Sequence, residues 1–280
     1  MKNLKTEQIA VSNFPYYKYS MEYALDSLER MGGKNLELYA CDPHFHVDDS
    51  NLADVKAVKK KIADHGLKVV CFTPEQCNYP VNIAAKNPRA KKRSLEVYVK
   101  SMQFAAELDC PLCQFLSGFG CLDEKDESIW QRSVESMAYL AEIAEGYGLE
   151  IALETSPKAY TCLTDSAKIT QMIEEIGSPA IKGMIDTAVL GYSNETIRDA
   201  IERLKNGSLI RHVHVGDGIP NGHYILGEGK LDLTGMMKAL DEIGYSHALS
   251  LEILNPLYVS SAEHAMKTSF EWLKRCIEEN

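Results

Sequence analysis

Apolar positions along this chain alternate between two spacings. Short runs with every second residue apolar lie near 8–14, 34–40, 67–73, 110–116, 149–155, 180–186, 210–215 and 248–253. Longer stretches, apolar at every third or fourth position, lie near 20–31, 51–66, 88–109, 126–148, 164–177, 193–205, 232–244 and 258–279. The first spacing is that of a strand, the second that of a helix packed on one face. Eight strand and helix pairs in strict alternation predict an α/β fold with a parallel sheet, and eight strands is the number that closes a (β/α)8 TIM barrel. Gly32–Gly33, Gly66, Gly148, Gly177 and Gly244 each follow a helical run and precede a strand, where a helix C-cap belongs. No linker or low-complexity tract interrupts the pattern, so residues 1–280 are expected to form a single barrel domain.

Within this pattern four polar residues stand out. Glu154, Asp186, His214 and Glu252 each occupy the last inward-facing position of an apolar run, at intervals of 32, 28 and 38 residues. Their neighbours Leu153, Ile185, Val213, Val215, Leu251 and Ile253 face the other way. A lone carboxylate at a strand end is often a helix cap or an ion-pair partner. Four such residues from the fifth to eighth strands, all at the carboxyl end of one barrel, describe a divalent-metal site instead. Three carboxylates and one imidazole are a hard, oxygen-rich set that suits Mn²⁺ first, with Mg²⁺ and Co²⁺ close behind and Zn²⁺ compatible. Glu37 and Tyr39 share the inner face of the second strand and His212 that of the seventh. Substrate contact is one role for Glu37; buried ion pairing is the other, and for His212 hydrogen bonding behind the ligands is favoured over ligation. The loop Asp42–Pro43–His44–Phe45–His46 is polar and aromatic enough to roof a bound small molecule.

Composition narrows the partners. A net charge of −10 and a pI near 5.3 give no electrostatic footprint for nucleic acid or for an anionic membrane, which favours a small-molecule substrate. No window approaches 18 uninterrupted apolar residues and MKNLKTEQ lacks the apolar stretch of a signal peptide, so a cytoplasmic protein is expected. Nothing in the pattern opposes a homo-oligomer. The eight cysteines read as reduced thiols, and Cys110–Pro111–Leu112–Cys113, with no second pair, reads as buried strand cysteines rather than a zinc or redox motif. The basic cluster Arg89–Ala90–Lys91–Lys92–Arg93 opens an amphipathic helix and reads as a solvated face. Gly227–Glu228–Gly229–Lys230 lacks the spacing of a phosphate loop and reads as a turn feeding a helix capped by Asp232.

The segments Leu153–Glu154, Ile185–Asp186–Thr187, Arg211–His212–Val213–His214 and Leu251–Glu252 resemble the xylose-isomerase-like barrel superfamily, in particular its ketose 3-epimerase branch. The resemblance covers nearly the whole chain. His223–Tyr224–Ile225–Leu226–Gly227–Glu228–Gly229–Lys230, with Thr73–Pro74–Glu75 and Asn78–Tyr79–Pro80, is similar to the members that act on the ketosamine fructoselysine. The resemblance implies that Glu154, Asp186, His214 and Glu252 hold one divalent ion and that Glu154 and Glu252 also move protons, giving epimerisation at C3 of a ketose through an enediolate. Members acting on free ketoses carry a His three residues after the metal-binding Asp and an Arg in the loop after the seventh strand. Here those places hold Val189 and His223, and Tyr160 stands where a second Glu would lie six residues after the first. A substituted ketose is therefore the expected substrate, with His223 as a contact. An aldose–ketose isomerase or an inosose dehydratase-type lyase would use the same metal site. An endonuclease IV-type nuclease would need further histidines, which Phe72–Thr73 and Leu116–Ser117 do not supply.

Overall fold

The computed structural model describes residues 1–77 and 81–280, so the Asn78–Tyr79–Pro80 segment lies outside the described residues. Eight strands, β1 (Ile9–Ser12), β2 (Asn35–Ala40), β3 (Lys68–Pro74), β4 (Leu112–Phe115), β5 (Glu150–Leu153), β6 (Ile181–Asp186), β7 (Ile210–Val215) and β8 (Leu249–Leu251), pair in parallel in chain order. β1 also pairs with β8, so the sheet closes on itself as the alternation predicts. The surrounding helices are α1 (Met21–Arg30), α2 (Leu52–Asp64), α3 (Pro88–Glu107), α4 (Asp126–Tyr147), α5 (Ser166–Ile176), α6 (Leu190–Ser193), α7 (Ile197–Arg203), α8 (Leu233–Glu242) and α9 (Ala262–Glu279).

One helical stretch departs from expectation. The run near 193–205 is divided: α6 ends at Asn194, whose φ of 53° is left-handed, and α7 restarts under a reciprocal cap between Thr196 and Asp199. Local side-chain caps here outweigh the apolar period.

Side-chain alternation sorts each strand into two faces. Leu36, Leu38, Phe72, Phe115, Ile151, Leu153, Ile185, Val213, Val215 and Leu251 point outward into the main core beneath the helices, all buried. Gly183 is needed in that layer, because a Cβ there would lie 2.9 Å from both Ile169 and Leu204 side chains. Inside the barrel, Cys71, Leu112, Ala152 and Met184 form a small apolar plug. The next inward positions on those strands are Thr73, Gln114, Glu154 and Asp186, so the interior turns polar one step towards the carboxyl end. Cys110 and Cys113 are free and buried, and burial pushes the Cys110 thiol up to about 12, which removes thiolate chemistry from that pair. No described helix is long and apolar enough to cross a membrane.

Candidate active site

Glu154 and Glu252 follow the last residues of β5 and β8, while Asp186 and His214 lie on β6 and β7. One ligand atom from each of the four falls within 4.8 Å of the others, so the residues singled out by spacing do converge. They stand at the floor of a cavity of about 750 Å³, measured to its open mouth and lined also by Phe14, Tyr39, Glu75, Gln114, Val189 and His223.

The orientation of His214 is fixed from below. Its Nε2 lies 2.9 Å from Oε1 of Glu37, whose Oε2 lies 2.8 Å from Nε2 of His212. Burial opposes ionisation of Glu37, yet the two imidazoles hold its carboxyl well below the ordinary range. An ionised carboxylate only accepts, so each imidazole presents Nε2–H to it and the Nδ1 of His214 turns towards the cavity. There Nδ1 sits 2.9 Å from Oε2 of Glu252 and 3.3 Å from Oε1 of Glu154. Both His214 Nδ1 and Glu252 Oε2 are buried, and neither makes a properly directed hydrogen bond.

This arrangement has the signature of a cation site. A lone pair facing two carboxylates is repulsive unless a proton or a metal ion lies between them. With no metal, burial works against charging His214, but Glu37 and Glu252 raise its pKa well above the usual value. A divalent ion at the four donor atoms would replace that proton, and the donor chemistry fits one: three carboxylates, one imidazole, and a carboxylate behind the imidazole.

Of the residues considered for substrate contact, Glu37 and His212 do not reach the cavity. Both are fully buried beneath His214, where they support it rather than touch a ligand. His212 hydrogen-bonds Glu37 behind His214. His223 enters the site more deeply than an exposed loop residue would. Its Nε2 lies 3.1 Å from Oδ2 of Asp186 and 3.2 Å from Oε2 of Glu252. Tyr39 lines the cavity and donates a hydrogen bond from its hydroxyl to Glu75. The loop at 42–46 contributes nothing to the cavity lining. His44 is pinned to Asn13 and to the Tyr19 carbonyl at 2.8 and 2.9 Å, and Phe45 is buried in the outer core. Tyr160 is exposed outside the lining.

Three positions were missed from sequence. Gln114 donates from Nε2 to Oε2 of Glu154 at 2.7 Å, and its Oε1 accepts from Nε2 of Gln76 at 2.5 Å. Gln76 Oε1 in turn accepts from the backbone N–H of Leu116 at 3.0 Å and from the Tyr98 hydroxyl at 2.6 Å. A backbone N–H can only donate, so it fixes the polarity of both amides and makes Glu154 the terminal acceptor. Inward alternation past Leu112 would have pointed to Gln114. The third is Asp217 in the loop after β7, whose carboxylate accepts from the backbone N–H groups of Gly218, Gly227, Gly229 and Leu231 at 2.8–3.2 Å. Gly229 approaches so closely that a Cβ would lie 2.1 Å from Asp217 Oδ1. The turn expected at 227–230 is thus wound around one buried side chain, and Asp232 caps α8 as expected.

A closed parallel barrel with three carboxylates and one imidazole gathered at its carboxyl end, able to hold a divalent ion, defines a class of metal-centred TIM-barrel enzymes. The chain belongs to the xylose isomerase-like TIM barrel family, whose model matches residues 25–276. It is 22% identical over 268 residues to the fructoselysine 3-epimerase of Escherichia coli O157:H7, covering 95% of this chain and 96% of that protein. Its fold matches the structure of an L-ribulose 3-epimerase with a TM-score of 0.81 at 22% identity, over 97% and 94% of the two chains. It also matches the IOLI protein with a binding zinc atom, with a TM-score of 0.78 at 19% identity over 97% and 98%. The chain is an isomerase-class enzyme.

Proposed function

We propose that this protein is a metal-dependent epimerase that removes and returns the proton at C3 of a substituted ketose, with a ketosamine such as fructoselysine as the substrate class. Glu154, Asp186, His214 and Glu252 are the residues that would hold the ion, Mn²⁺ by preference. Bound there, a divalent ion supplies Lewis-acid stabilisation of the negative charge that develops on the substrate carbonyl as the neighbouring C–H bond breaks.

The observation that carries this reading is the asymmetry among the four ligands. The side chains of Glu154 and Glu252 keep 14% and 10% of their surface exposed to the cavity, against 1% each for His214 and Asp186. Two glutamates reach towards substrate while the other two residues stay beneath. Their environments also differ in sign. Burial, reinforced by the Glu252 and Asp186 charges, raises Glu154 to about 7 despite His214. Glu252, although equally buried, is held well below the ordinary range by His223 and His214. Those directions belong to the metal-free site. With the ion held, two carboxylates that reach the cavity supply a proton-transferring group on each side of a bound ketose, Glu252 taking the proton from one face and Glu154 delivering one to the other. In the reverse direction the roles exchange.

The substituent preference is supported by Val189 on the cavity wall. A substrate hydroxyl facing it would forgo a hydrogen bond, about 0.5–1.5 kcal/mol, or roughly ten-fold in affinity at the upper end. The similarity to a fructoselysine 3-epimerase points the same way.

The test is turnover in D₂O by the Mn²⁺-loaded protein, with fructoselysine, psicose, tagatose and ribulose 5-phosphate compared by NMR and by kcat/KM. Deuterium at C3 without movement of the carbonyl is the expected result, fastest with fructoselysine. A shifted carbonyl would mean an aldose–ketose isomerase, and loss of water a lyase. A clear preference for a free hexulose would overturn the substrate class alone.

A further inference from the structure

Four carboxylates line the cavity, but the converging donor set uses only three. The fourth, Glu75, follows β3 on the opposite side of the barrel from β6 and β7 and is absent from that set. Two of its partners among the described residues hold it in place. Tyr39 donates its hydroxyl to Oε2, and the backbone N–H of Cys77 donates to Oε1 at 2.7 Å. Two donors aimed at one carboxylate fix its place.

The surroundings of Glu75 are aromatic. The Tyr39 ring packs against Phe14 with centroids 4.8 Å apart and planes tilted by 30°, and both rings line the same cavity. Rings beside a fixed carboxylate are the combination that receives an ammonium group, through the ring quadrupole together with the charge. His223, the cationic side chain an anionic substituent could meet in the described lining, already faces Asp186 and Glu252. Among the described residues lining the cavity there is no Lys or Arg, while Glu75, Glu154, Asp186 and Glu252 all carry the opposite sign. A bound divalent ion would offset two of those four formal charges. The remaining field favours a cation and disfavours a phosphate ester.

We infer that Glu75, with the Tyr39 and Phe14 rings, forms a cation subsite that receives the protonated amine of an amino-substituted sugar. The inference deepens the epimerase reading and rests on it for the identity of the sugar; the subsite itself is testable without turnover.

The experiment uses the full-length, Mn²⁺-loaded protein and calorimetric binding of two unreactive polyols. These are 1-amino-1-deoxysorbitol, which is protonated at neutral pH, and sorbitol, its hydroxyl counterpart. The amine is expected to bind at least about ten-fold more tightly, and Glu75→Gln should bring that ratio close to one. Equal affinities in the native protein, or a ratio that survives Glu75→Gln, would overturn the subsite. Should Glu75→Gln fail to fold, the native protein still decides. Raising salt to about 1 M, where the Debye length is about 3 Å, must weaken the amine relative to sorbitol. An unchanged ratio counts against the proposal. A kinetic arm then compares 1-amino-1-deoxyfructose with fructose. The kcat/KM ratio should favour the amine and fall at least about ten-fold in Glu75→Gln, chiefly through KM. Amine-selective binding without C3 exchange in either ketose would sink the epimerase reading and leave the subsite standing.

Discussion

One carboxylate, Glu37, grips His214 from beneath: Oε1 to Nε2 is 2.9 Å, inside a fully buried pair. The contact sets which imidazole nitrogen faces the cavity, so it acts on the metal site without lining the cavity. Glu37→Gln places an amide where two N–H donors now point and removes the charge that fixes the tautomer. Mn²⁺ affinity should fall by about 10- to 100-fold, measured by titrating the metal-free variant. An unchanged dissociation constant would show that His214 is oriented without Glu37.

Glu154→Gln and Glu252→Gln separate coordination from proton transfer. An amide oxygen can still ligate but cannot accept a proton, so each variant should lose at least about 100-fold in turnover while keeping much of its metal. Asp186→Ala and His214→Ala should instead lose metal. Metal content and kcat measured on the same preparations check the split, and near-native turnover in either glutamine variant would rule out a two-base mechanism.

The raised pKa of Glu154, about 7, has a directional consequence for metal binding. Below that pH the carboxyl is protonated in the metal-free protein, and an ion must displace the proton to bind. His214, also raised well above its usual value, adds a second proton to displace. Mn²⁺ affinity should therefore drop as pH falls below about 7, by more than about ten-fold per unit if both protons compete. Above 7 the Glu154 contribution disappears. Titrations across about pH 5.5–8 measure the slope, and a flat profile would mean that the ligands are already deprotonated.

The amide relay makes an isosteric test available. Gln76→Glu keeps both acceptors for Leu116 N–H and Tyr98 but removes the donor to Gln114, whose amide must then turn its N–H₂ away from Glu154. Losing a hydrogen bond to that carboxylate, about 1.5–3 kcal/mol, should lower kcat by roughly 10- to 100-fold with the metal retained. Tyr98→Phe should cost much less, because Leu116 N–H still fixes the polarity. Equal losses in the two variants would contradict the relay.

Asp217→Ala leaves four backbone N–H groups without their acceptor in a tight, buried turn. The cost should reach at least about 3 kcal/mol, a fall in Tm of about 6 °C or more. Scanning calorimetry reads it directly. A loss confined to activity, with Tm intact, would mean that the loop holds its shape by other contacts.

Sequence exposed Glu154, Asp186, His214 and Glu252 because each breaks a strict apolar alternation at the same relative depth, and burial of charge is conspicuous in such a run. The barrel was legible for a similar reason, since period and turn chemistry agree along the chain. What stayed hidden depends on contacts across long separations. Glu37 and His212 share the inner faces of β2 and β7, yet only closure of the barrel decides that they bond to one another and not to substrate. Gln76 looks like any loop amide until Leu116 N–H, forty residues on, is found beside it. Asn194 and Thr196 split α6 from α7 through side-chain geometry that an apolar period does not register.

The candidate metal ligands all come from β5 to β8, while Phe14, Tyr39 and Glu75 follow or belong to β1, β2 and β3. Such a barrel can draw its metal ligands from one half of the gene and much of the opposite cavity wall from the other. Changes in the first hundred codons that spare Glu37 and Gln76 would then reshape the wall facing the substrate while leaving the four ligands in place. Libraries restricted to that half are the economical place to seek altered selectivity.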